Sequence, residues 1–145
     1  MGRLGGGREL RGSLLLFWCV YFGVLGFTNL LDLLHGLGAL PHGWRYLAGN
    51  LPLIQRALGT VGIPGGLAGV LLLGVILWQW LAAWLFWQAL RRHEWVLRAF
   101  TVAICLWAAF LVADEVFLTY ALEAVHLRLF IAQLLSLLVV QRLEI

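Results

Sequence analysis

The residues with the most chemical potential in this chain are two carboxylate–histidine pairs at helical spacing. Asp32 and His35 form a DxxH pair, and Glu123 and His126 form an ExxH pair. Side chains three apart share one face of a helix, so each pair can aim two ligands at one point. In four-helix bundles, ExxH pairs and facing carboxylates are how di-iron and di-manganese centres are held. Glu115 supplies a further carboxylate near the second pair. The set Asp32, His35, Glu115, Glu123 and His126 is therefore a candidate site for one metal ion. Mixed imidazole and carboxylate ligands suit Zn, Fe or Mn. A dinuclear centre would also need carboxylates from the remaining helix. That helix offers only Gln79 and Gln88, which this reading places too far towards the opposite end.

Three other uses of the same groups compete with a metal. His35 and His126 could be the axial ligands of a b-type haem between the first and last helices. The groups could bind a lipid, quinone or small solute. They could also simply satisfy one another, with Asn29, Asp114, Thr119 and Arg128 completing a polar network in which Arg128 neutralises a carboxylate. No GxSxG, HExxH, P-loop or GxGxxG pattern is present. The hydroxyl residues have no His and acid at recognisable spacing. Cys19 and Cys105 form no CxxC or CxxCH motif. The chemistry of the chain thus rests on this polar set, and binding or assembly is favoured over independent catalysis.

The elements that must position these groups are set by hydropathy. Of the 145 residues, 63% are apolar and 12% charged, about half the charged fraction of a soluble domain. Apolar runs of about 20 residues, enough to cross ~30 Å of hydrocarbon, recur along the chain. Spans are expected at residues 13–37, 66–90, 95–113 and 116–142, in one integral membrane domain. Residues 38–65 form an outer loop, broken by Gly and Pro. Within it, Asn50 can cap a short interfacial helix over residues 51–58, with Pro52 tolerated in the first turn. His42 reads as a surface loop residue. Residues 1–12, Gly-rich and basic, read as a mobile tail. Trp80, Trp84 and Trp87 form one aromatic face, suited to packing or interfacial anchoring, and Gly65 and Gly69 permit close helix approach.

Residues 95–145 contain neither Gly nor Pro. One helix of that length would be about 75 Å long, so the chain must reverse within residues 113–133. That stretch carries Asp114, Glu115, Glu123, His126 and Arg128 where lipid would be expected, at a cost of roughly 2.5–3.5 kcal/mol per charge facing hydrocarbon. Two placements fit the reversal. One puts it at residues 113–116, with Asp114 capping the last helix, and the other near residues 119–122. The first is preferred, because it matches the depth of Glu123 and His126 to that of Asp32 and His35.

All ten basic residues are arginine. With the N-terminus inside, seven (Arg3, Arg8, Arg11, Arg91, Arg92, Arg98, Arg142) fall on one side and three (Arg45, Arg56, Arg128) on the other, a positive-inside bias. The expected architecture is an all-α, up-down-up-down bundle of four transmembrane helices. Both termini would be cytoplasmic in a bacterial inner membrane, with the polar groups at the periplasmic end. The bilayer is the expected partner, together with other membrane subunits or a second copy. The net charge of +3 implies no nucleic acid.

Overall fold

The protein is described by a computed structural model covering residues 3–41 and 43–143, with side chains from residue 6 onward. His42, the first two residues and the last two lie outside the described residues. The architecture is all-α. Helix α1 spans Arg3–Gly36, α2 Asn50–Thr60, α3 Ala68–Arg91, α4 Val96–Val116 and α5 Tyr120–Arg142. Short 3-10 turns, Gly65–Leu67 and His93–Trp95, lead into α3 and α4. Four segments are long and apolar enough to cross a membrane: Gly6–Gly36, Gly65–Arg91, His93–Val116 and Tyr120–Arg142. The chain is a small polytopic membrane protein, with a short helix between its first and second spans.

The helices cohere around an aromatic stack. Phe22 of α1 lies parallel to Phe86 of α3, with centroids 6.0 Å apart and planes 8° apart, and also stacks on Trp107 of α4 at 5.8 Å. Phe86 in turn meets Phe100 of α4 edge-on at 5.0 Å. Offset and edge-on contacts of this kind add about 0.5–1.5 kcal/mol each beyond the area they bury. Direct polar links tie the same helices. The Trp78 indole donates to the Val102 carbonyl at 3.0 Å, and the Trp18 indole donates to Ser136 Oγ on α5 at 3.0 Å. Gly26 lets the Trp80 ring lie against α1, since a Cβ there would come within 2.5 Å of the indole. Trp80, Trp84 and Trp87 otherwise expose about two-fifths or more of their surface, as lipid-facing rings do. At the end away from α2, Arg91 sits over the Trp87 ring at 4.6 Å and Arg98 over Trp95 at 4.9 Å. Such pairs fit a headgroup layer, where an aromatic body and a cation are both accommodated.

Two expectations are corrected at the helix ends. The expected tail at residues 1–12 is helical from Arg3. Extending a helix already nucleated by an apolar span costs little, and Arg11 donates to the Ala89 carbonyl near the end of α3 at 3.4 Å. The reversal before α5 falls at residues 117–119, beyond residues 113–116. Asp114 therefore ends α4 and does not cap α5.

The reason is a repeated turn. α1 ends with the Gly38 N–H donating to the His35 carbonyl and the Ala39 N–H to Leu34, at φ +73° for Gly38. α2 ends with Gly62 donating to Gly59 and Ile63 to Leu58, at φ +75°. α4 ends in the same way. Leu118 donates to Glu115 and Thr119 to Asp114, but the left-handed position, φ +55°, is a leucine. This is the Schellman pattern, which normally takes glycine at that residue.

Candidate functional site

Two polar clusters are buried towards the α2 end of the bundle. The first joins α1, α2 and α3. Asp32, only 4% exposed, accepts the backbone N–H of Ala48 at 2.9 Å through Oδ1 and that of Asn50 at 2.6 Å through Oδ2. Those amides open α2. Its N-cap residue is Gly49, at φ +78°, with no side-chain cap bond. Asn50 is thus not the cap. The cap arrives from another helix, and a carboxylate at a helix N-terminus is also favoured by the helix dipole. The Asn50 side chain donates instead to Asn29 Oδ1 at 2.6 Å, and Asn29 Nδ2 donates to Gln79 Oε1 at 2.9 Å.

Gln79 corrects the expectation that α3 contributes no polar group at this level. It is 1% exposed and lies about 16 Å below Ala68 at ~1.5 Å per residue. Asn29 sits some 10 Å inside the end of α1, and the offset of the two helices brings the amides level.

The second cluster spans the α4–α5 turn. Asp114, 3% exposed, accepts the Thr119 hydroxyl at 2.8 Å on Oδ1 and meets His126 Nδ1 at 2.5 Å through Oδ2. Hydrogen bonding to a carboxylate fixes the imidazole tautomer, placing a proton on Nδ1. Nε2 then presents a lone pair and becomes a donor if the ring gains a second proton. The ring itself is held by stacking on Phe110 at 4.9 Å and on Trp107 at 6.1 Å. The sequence alone points to Glu123 as the partner of His126. The structure pairs His126 with Asp114, which reaches it from the preceding helix because α4 continues to Val116.

Between the clusters lies a cavity of about 510 Å³, roofed by α2 and walled by α1, α3, α4 and α5. Asn29 and Gln79 reach it from one wall, with Asn50 beside them at the edge of the roof; Asp114, Thr119 and His126 reach it from the other. The remaining lining is apolar or aromatic, apart from the Tyr21 hydroxyl. The Trp107 indole N–H is buried and has no acceptor among the described residues. Deeper in the bundle, both amide atoms of Gln133 are buried and have no partner among the described residues. Reading the sequence by ionisable residues placed Gln79 at the wrong depth and passed over Trp107 and Gln133. Intramembrane amides and indoles need partners as much as charges do, and a search for such groups would have drawn in all three.

The expected metal set is dispersed. Asp32 uses both carboxylate oxygens on α2, Glu115 is exposed, and His35 and Glu123 are half-buried. No group of three or more His, Cys, Asp or Glu side chains placed to share a metal ion occurs among the described residues. Of the expected network, Thr119 and Asp114 bond each other, Asn29 bonds the two amides, and Arg128 is exposed. No protein-family model, no curated protein and no solved structure matches the chain, so the site stands on its geometry alone.

Proposed function

We propose that the protein is a membrane-embedded binding protein whose roofed cavity takes a hydrophobic or amphiphilic small molecule. The observation that carries this reading is a 510 Å³ space lined mainly by apolar side chains, with a few polar groups converging from opposite walls. That composition is typical of small-molecule sites: apolar surface supplies affinity and sparse polar groups fix orientation. The roof, α2, is amphipathic and short, as suits a helix lying at the interface. We further propose a bacterial inner membrane, with both termini cytoplasmic and the cavity near the periplasmic face. The seven-to-three distribution of arginines supports that orientation.

The reading is tested with purified protein in mild detergent and a fluorescent fatty-chain probe. Saturable binding with a stoichiometry near one is expected. Ala113→Trp, which fills the cavity from α4, and Ala57→Phe, which fills it from the roof, should each abolish binding while the fold is kept. Non-saturable partitioning, equal for all three proteins, would show that the cavity holds no ligand.

A further inference from the structure

We infer that the cavity recognises a quinone-type headgroup, a flat ring with an oxygen at each end and an aliphatic tail. This deepens the reading above and rests on it. On the α4–α5 wall, His126 lines the cavity, with Nδ1 committed to Asp114 and Nε2 committed to no described residue. Nε2 can accept from a hydroxyl, or donate to a carbonyl once the ring is doubly protonated. This wall therefore suits an oxygen that is a carbonyl in one form of the ligand and a hydroxyl in the other.

The facing wall offers a second, separate point of attachment. Gln79 lines the cavity and accepts from Asn29 through Oε1, which leaves its amide nitrogen free to donate. A ligand with one polar end could use one wall only, whereas a ring with oxygens at opposite ends has one to offer each wall. Tyr21, Phe110 and Phe117 add aromatic side chains to the lining, of the kind against which a flat ring packs. Leu53 and Ile54 of the roof continue the lining as aliphatic surface for a tail. A phospholipid headgroup fits less well, because no arginine among the described residues lines the cavity to meet a phosphate.

The test is a competition against the fatty-chain probe, using decylubiquinone and decyl alcohol, which share a tail and differ in the ring. Decylubiquinone should displace the probe at a concentration at least about tenfold lower, the worth of one added hydrogen bond. His126→Gln and Gln79→Leu should each weaken decylubiquinone about tenfold more than they weaken decyl alcohol. The two variants lie on opposite walls, so a folding defect in one leaves the other to decide. Equal displacement by the two compounds, or variants that weaken both alike, would overturn ring recognition while leaving the amphiphile site standing. A probe that does not bind the unaltered protein would overturn the amphiphile reading and this inference together.

Discussion

Asp32 and Asp114 are buried to the same extent, 4% and 3% exposed, near the same end of the bundle, yet their hydrogen bonds go to different kinds of partner. Asp32 spends both oxygens on backbone amides and so fastens a helix. Asp114 takes a hydroxyl and an imidazole, and the imidazole keeps a second nitrogen that faces outward from the pair. A buried carboxylate is expensive unless its lone pairs are filled, and both are filled. What differs is whether the filling ends the chain of hydrogen bonds or passes it on. On the α1–α2–α3 side it ends in the main chain. On the α4–α5 side it stops at His126, whose second nitrogen has no partner among the described residues.

The comparison can be broken most directly at Asp32. Asp32→Ala should lower stability by about 3 kcal/mol, because two amides at the start of α2 lose a charged acceptor. Unfolding in detergent would measure it, and proteolysis should quicken in residues 38–65. A loss below about 1 kcal/mol would mean that the roof is held by its apolar contacts with Leu33 and Leu72 instead. The second cluster should register as coupling. In a double-mutant cycle, Asp114→Ala and His126→Ala should interact by about 1–2 kcal/mol, while His35→Ala and His126→Ala should add within about 0.5 kcal/mol. Strong coupling between the two histidines would restore the shared site that their spacing first suggested.

A third measurement asks what a buried polar group costs when nothing meets it. Gln133→Leu, nearly isosteric, should stabilise the protein by about 1 kcal/mol, since neither amide atom has a partner among the described residues. Destabilisation would reveal a bonding role for this amide. The smallest effect is expected at the α4–α5 turn. Leu118→Gly should gain about 0.5 kcal/mol: a left-handed leucine costs roughly 1–2 kcal/mol, and glycine returns part of that gain as backbone entropy. No change in melting temperature would mean that Leu118 recovers the strain through contacts of its side chain.

Much of the fold was legible from length and hydropathy, including the four long apolar helices and the short helix between the first two. Two of the three Schellman turns were marked by glycine, at Gly38 and Gly62, and were read as breaks. The third uses leucine. No local signal distinguishes Leu118 from its apolar neighbours, so the reversal was placed too early, and Asp114 was assigned to the wrong helix. The site suffered more, for two physical reasons. A spacing of three residues shows which side chains share a face but not which groups another helix brings to them, so His126 was paired with Glu123. Depth counted from a span's start ignores the offset between helices, and that hid the meeting of Asn29 and Gln79. Asp32 was read as a metal ligand or a partner of His35, because a partner made of main chain leaves no mark in side-chain patterns.

α5 is the least buried of the four long helices, and that has a consequence for the order in which the protein is built. The aromatic stack of Phe22, Phe86, Phe100 and Trp107 involves only α1, α3 and α4, all of which are synthesised before α5. The greater part of the core can therefore settle in the membrane while the cavity still lacks one wall. Until α5 docks, Asp114 has no imidazole and the space is an open cleft facing lipid. Anything that occupies it could be admitted at that stage, as a component of assembly, without having to pass beneath the roof afterwards.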